Sequence, residues 1–239
     1  VTAGYRVFFE MERPWDLPNS GAQHVRRLPS GGLEVIIDAA SGSAATAEEY
    51  ADPRLLSTSA YIDIDDQALR DFFLDLQPTS STSTMEQCER LRLAVARRIS
   101  NKTFGVAFGS ASDAFRSRSG DCTEHAVLLA AGFRLAGLPS RVATGLVHAP
   151  AAGFEHGAFA WHMWTQVLID GVWWDYDATR RNRFDAGHLL VSTSSLDGGT
   201  GERALSEMLL LLGRMRVEAI CVDGRVLDQD HKNEEGERR

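Results

Sequence analysis

The chain is poor in cysteine, with Cys88, Cys122 and Cys221 alone among 239 residues. An odd, sparse set makes no disulfide framework. No C-x-x-C pair or H-E-x-x-H run is present to seed a metal site, so none is expected. Reduced thiols suit a cytosol-like compartment, and a cytoplasmic location is the expectation. Long apolar runs are missing too: no stretch of about 18 such residues offers a membrane span. Positive charge is short, with 25 Lys and Arg against 33 Asp and Glu and a formal net charge of −8. That balance argues against nucleic acid as the main partner, since a phosphate backbone asks for a basic face. The cluster Arg180, Arg181 and Arg183 reads as a solvated loop. The sequence opens at Val1 without Met or a basic-then-apolar leader, which suggests processing or a place within a longer polypeptide. No internal repeat is visible, and nothing indicates the oligomeric state.

What is present is an ordinary globular composition, 44% hydrophobic and 24% charged. Residues 1–60 read as an N-terminal β segment and connector. Tyr5–Phe9 and Leu33–Ile37 are strand-like, with a turn at Ser30-Gly31-Gly32 that suggests a hairpin. Residues 61–225 read as the core. A short helix is expected over Asp65–Leu76, capped by Asp65 or Asp66. A second is expected over Thr84–Ile99, with Met85, Cys88, Leu91, Val95 and Ile99 as its apolar stripe. Residues 121–136 are apolar nearly all round after the first turn, the mark of a buried central helix. Strands follow at Arg141–Val147, Phe159–Ile169 and Val172–Asp177, with a loop of small residues between the first two. A short strand near Leu189–Ser192, a helix near Glu202–Leu212 and a strand over Arg214–Val222 complete the core. Residues 226–239 read as a charged, disordered tail. Helices first and sheet after suggest an α+β fold.

Three segments carry chemistry. The central helix opens with Gly120-Asp121-Cys122-Thr123-Glu124. Asp121 suits the N-cap and Glu124 sits at the capping-box spacing. Cys122 then takes the first helical position, where unpaired amides and the helix dipole favour a thiolate. The same amides can bind an oxyanion beside the sulfur, and Gly120 leaves room for a substrate. Cys88 and Cys221 each fall on an apolar stripe and read as buried core residues.

A thiol nucleophile needs a base, and the base an orienting partner. Asp170-Gly171 is the strongest short hairpin signal in the chain. A two-residue turn there pairs Ile169 with Val172 and, carried outward, Trp164 with Asp177 and His162 with Thr179. Asp177 is then a diagonal neighbour of His162 on one face, about 7–8 Å between backbones. Asp175, opposite Gln166, lies roughly 13 Å away by strand rise and reads as facing solvent or a structural partner. His125 competes as base from the helix carrying Cys122, though a supporting or structural role suits it better. His148, His156 and His188 fall in loops or near strand ends and carry no signal.

These segments resemble a family. Gly120-Asp121-Cys122 opening an apolar helix is similar to the nucleophile segment of the transglutaminase-like superfamily. Trp161-His162-Met163-Trp164 resembles its histidine strand, and Trp173-Trp174-Asp175-Tyr176-Asp177-Ala178-Thr179 its aspartate segment. The likeness covers about residues 104–180 and is nearest to prokaryotic members with an N-terminal β piece. It implies a papain-like α+β core in which a Cys-bearing helix packs on an antiparallel sheet bearing His and Asp. It implies Cys122 as nucleophile, His162 as base and Asp177 as orienting carboxylate, without a cofactor. Trp164 and His125 would be supporting residues. Phe104 stands where the family carries an oxyanion-binding side chain; lacking a donor, it leaves the Cys122 N–H as the other candidate. The implied chemistry is thioester-mediated acyl transfer from peptide or protein amides to water or an amine. A second reading keeps the fold as a non-catalytic protein-interaction module.

Overall fold

The computed structural model describes residues 1–11, 15–29, 31–76, 82–103, 109–151, 154–180, 182–197, 206–207 and 209–226. Phe104, residues 202–205 and 208 of the expected helix near Glu202–Leu212, and nearly all of the charged tail lie outside the described residues.

Antiparallel sheets and α-helices build an α+β architecture. The first sheet has the order β10-β9-β1-β3-β2. Its strands are β1 (Thr2–Phe9), β2 (Gln23–Arg27), β3 (Leu33–Asp38), β9 (Met215–Val222) and β10 (Arg225–Val226). The turn near Gly31 is closed by the Leu28 N–H donating to the Gly32 carbonyl, and it joins β2 to β3 rather than β1 to β3. β1 instead lies on the far edge of β3, between it and β9. A sheet drawing strands from both chain ends thus crosses the expected division at residue 60.

The second sheet has the order β4-β7-β6-β5-β8. It comprises β4 (Ser43–Ala44), β5 (Ser140–Ala151), β6 (Phe154–Ile169), β7 (Val172–Tyr176) and β8 (His188–Ser194). The reading of 149–157 as a loop is corrected: β5 runs on to Ala151 and β6 begins at Phe154, paired with an irregularity between Ala149 and Ala151. Small side chains hid the alternation that betrays a strand. The β6–β7 turn is as expected. Asp170 and Gly171 both take positive φ, 51° and 79°, as a two-residue turn matched to strand twist requires.

On one face of this sheet α5 (Cys122–Leu135) packs with α2 (Gln67–Leu74), α3 (Thr84–Arg98) and α4 (Ala111–Ser117). α5 is the buried element its composition demands: Ala126 to Phe133 are all at most 2% exposed among their apolar side chains. Odd-numbered β6 residues Met163, Val167 and Ile169 meet it, and Thr165 donates to the Ala126 carbonyl at 3.0 Å. A separate core joins the first sheet to Leu146, Leu189 and Val191 of the second. The α3 stripe holds at Cys88, Leu91, Val95 and Ile99, but Met85 at its start is exposed. Cys88 is buried as expected, whereas Cys221, on a strand flanked by β10 and β1, is only partly so.

Among the described residues, no helix is long and apolar enough to cross a membrane.

Candidate active site

The start of α5 forms as its sequence dictates. Asp121 is the N-cap; its carboxylate accepts from the Thr123 N–H at 2.8 Å, and Glu124 reaches back to the Asp121 N–H at 2.8 Å. Glu124 also accepts from the Gly109 N–H at 3.1 Å. Burial raises its carboxyl above the usual range despite these donors. Gly120 serves this cap rather than a substrate: a Cβ there would stand 2.4 Å from the Glu124 Cβ. Cys122 follows at the first helical position, partly exposed.

His162 projects from β6 with its Nε2 3.0 Å from Asp177 Oδ2. The ring is nearly buried, and Cys122 is close enough to influence its protonation. Burial pulls the imidazole pKa down, but the Asp177 and then the Cys122 contacts more than offset this, leaving it raised. Asp177 lies one residue past β7 and is 1% exposed. Desolvation opposes its charge, yet hydrogen bonds from His162 and His188 hold the carboxyl well below its ordinary value. Its Oδ1 accepts from the Thr179 N–H at 2.8 Å and from the Thr179 hydroxyl. This Asx-type turn is the local reason that Asp-Ala-Thr leaves the strand here. The Thr179 hydroxyl also lies 3.3 Å from His162 Nε2.

The structure brings together Cys122, His162 and Asp177. Trp164, fully buried, stacks beside His162 with ring centroids 6.2 Å apart. Its indole N–H donates to Asp175 Oδ1 at 2.7 Å. Asp175 also accepts from Gln166 at 3.0 Å and from the Ala22 N–H at 2.7 Å, so it ties the two sheets together. His125 is buried, with Nδ1 2.5 Å from the Asp121 carbonyl. Burial lowers its pKa, and the ring acts as a neutral brace on the helix start.

Two residues of the site are not among the sequence-predicted ones. His188, at the start of β8, is the first. The reading of it as an ordinary strand-end residue is corrected: its side chain is fully buried and its Nε2 is 3.2 Å from Asp177 Oδ2. Its Nδ1 faces the Asp185 carbonyl at 3.0 Å and Asp185 Oδ1 at 3.1 Å. The second is Arg92 on α3, whose guanidinium donates to the carbonyls of Asp177 at 3.2 Å and Arg180 at 2.9 Å. Its four-residue spacing from Cys88 put it on the buried stripe, the one clue available.

The ligand atoms of His162, Asp177 and His188 lie within 4.8 Å of one another, close enough to surround an ion. A histidine ligand must offer a lone pair. Both His188 nitrogens face oxygen acceptors, which calls for two protons on the ring, so the trio fits a proton-bridged network better than a metal centre.

The fold is of the papain and transglutaminase-like class, with a Cys-bearing helix on an antiparallel sheet. Residues 75–178, somewhat under half of the chain, match the model of the Transglutaminase-like superfamily. The match starts earlier than the motifs alone suggested and takes in α3. Solved structures similar to the chain include a candidate cysteine protease from Cytophaga hutchinsonii. That likeness is 16% in identity, covers 96% of this chain and 91% of the other, and has a TM-score of 0.56. Another is the periplasmic domain of TgpA from Pseudomonas aeruginosa, 15% identical over 74% of this chain and 89% of that one, with a TM-score of 0.40. No similar sequence is found among the curated proteins.

Proposed function

We propose that the chain is a cysteine-nucleophile hydrolase or acyltransferase acting on peptide or protein amide bonds. The observation that carries this reading is His162, whose Nε2 lies 3.0 Å from Asp177 Oδ2, beside Cys122 at the start of α5. In this reaction the Cys122 sulfur attacks the amide carbon while His162 holds the thiol proton. His162 passes that proton to the departing amine as the C–N bond breaks, leaving a thioester on Cys122. Water or an incoming amine then gives a proton to His162, attacks the thioester and releases the acid or a new amide. The N–H of Cys122, at the first helical position, has no partner within the helix and suits the oxyanion. Asp177 orients the ring and stabilises its charged form.

The competing reading is an interaction module that keeps the fold without turnover. The intact His162–Asp177 pair beside a partly exposed Cys122 favours the enzyme. The test is incubation of the chain with a peptide library, followed by mass spectrometry of the Cys122 peptide. An acyl adduct on Cys122, absent from Cys122→Ala and lost on adding an amine or with time, supports the reading. Peptide retention without any adduct or cleavage supports the interaction module.

A further inference from the structure

We propose that His188 is a positioning residue of the Cys122–His162–Asp177 site: an imidazolium between two carboxylates, it fixes the Asp177 oxygen that orients His162, and its charge offsets that carboxylate's hold on the His162 proton. This rests on the thiol-enzyme reading above.

The geometry starts at one atom. Asp177 Oδ2 receives both His162 Nε2, at 3.0 Å, and His188 Nε2, at 3.2 Å. Its Oδ1 is already taken by the Thr179 N–H and hydroxyl. The carboxylate is therefore held from every side and has no freedom to turn away from His162. His188 in turn cannot swing. Its Nδ1 is held by Asp185, and its ring lies against Phe184, centroids 4.4 Å apart, with the Trp164 edge at 5.3 Å.

Charge adds a second effect. Several charged or titratable groups face His188 from the surrounding elements. Asp177 and Asp175 come from the β7 segment, Asp185 from its own loop and His162 from β6, its ring centroid 5.6 Å away. Arg180 reaches Asp185 at 3.0 Å, and the Tyr5 hydroxyl of β1 donates to the neighbouring Ala186 carbonyl at 2.9 Å. Burial works against a charged His188, but the Asp177 and Asp185 contacts outweigh it and push its pKa up to about 9. Two acceptors on two ring nitrogens independently require the doubly protonated form. A lone buried carboxylate would hold His162 as an imidazolium and resist the proton transfer that the reaction needs. A second cation on the same oxygen weakens that hold.

The experiment uses the full chain with ¹⁵N-labelled histidine, together with His162→Ala, His188→Gln and His188→Phe. NMR of the unmodified protein should show both His188 nitrogens protonated at pH 7; a neutral ring there overturns the proposal without any variant. His188→Gln keeps a donor and removes the charge. The His162 titration midpoint should then rise by about one pH unit, the effect of a cation at this distance under intermediate screening. His188→Phe removes donor and charge and should slow Cys122 alkylation at pH 6.5 by on the order of tenfold, as a misplaced base would. A folded His188→Gln protein, judged by near-ultraviolet circular dichroism, with an unmoved His162 midpoint overturns the charge role. If His162→Ala slows alkylation of Cys122 and neither His188 variant does, the positioning role fails alone. If His162→Ala changes nothing either, the thiol-enzyme reading itself fails.

Discussion

His162 Nε2 meets Asp177 Oδ2 at 3.0 Å although the β6–β7 pairing ends at Thr165 and Tyr176. The two side chains span the diagonal left where the strands part, and the Thr179 turn holds Asp177 on that diagonal.

On the proposed reading, this contact favours His162 over His125 as the base. His162→Ala should cost turnover nearly as much as Cys122→Ala, by about 10²-fold or more. Asp177→Asn should cost less, since the ring keeps some orientation. Steady-state kinetics on a cleavable peptide would decide it. Full turnover in His162→Ala, with loss in His125→Ala, would assign the base to the helix instead.

The three thiols should separate by reactivity. Cys122 stands at a helix N-terminus beside a histidine whose pKa is raised. Cys88 is fully buried, and desolvation pushes its thiol up to about 12. Cys221 is partly exposed and lies within strand β9 rather than at a helix N-terminus. Brief iodoacetamide treatment near pH 6.5, where a free cysteine is only about 1% ionised, should label Cys122 first by a wide margin. Peptide mapping reports all three at once. Equal labelling would leave Cys122 without chemistry.

Much of this site was legible in the sequence because it is built by local rules. The capping box at Asp121 and Glu124 fixed where α5 begins and so where Cys122 sits. Asp170-Gly171 set the register, and the pairs Gln166–Asp175 and Ile169–Val172 follow from it. His188 was not legible. Its burial depends on β8 pairing with β5 and on β1 closing over the loop through the Tyr5–Ala186 contact, 181 residues apart. No window around Gly187-His188-Leu189 contains that information. The crossing of β9 to β1 is non-local in the same way, so a division by position along the chain could not anticipate it.

Arg92 should matter to both fold and site. Its side chain is 2% exposed, paired with Glu89 at 2.7 Å and bonded to the backbone on both sides of the Asp177–Arg180 turn. Arg92→Met keeps much of the volume but abandons Glu89 and two carbonyls. Breaking a buried pair from one side costs about 3–5 kcal/mol; the partial exposure of Glu89 puts the expected loss at the lower end. The measurable outcome is a fall in denaturant midpoint with an unchanged m-value, together with at least about tenfold lower turnover in the fraction still folded. Full turnover would show that the Thr179 turn alone holds Asp177.

The pH dependence of stability follows from the same cluster. His188 has a folded pKa of about 9 against an ordinary 6.5, and that of His162 is raised as well. For each, the folded state binds the proton more tightly than the unfolded chain. Their contribution is complete below about pH 6.5 and is lost as pH rises toward 9. Asp177 and Asp185 are depressed, Asp177 strongly. Their contribution is present above the unfolded value of about 4 and disappears as pH falls through the folded values. The network should therefore favour the fold most between about pH 4 and 6.5. On the alkaline side stability should decline by at most about 1.4 kcal/mol per pH unit for one proton released. Urea midpoints at pH 6, 7, 8 and 9 would trace the slope, and His188→Gln should flatten it between 7 and 9. A wild-type slope that His188→Gln leaves unchanged would place the titrating proton elsewhere and remove His188 from the charged form assigned to it here.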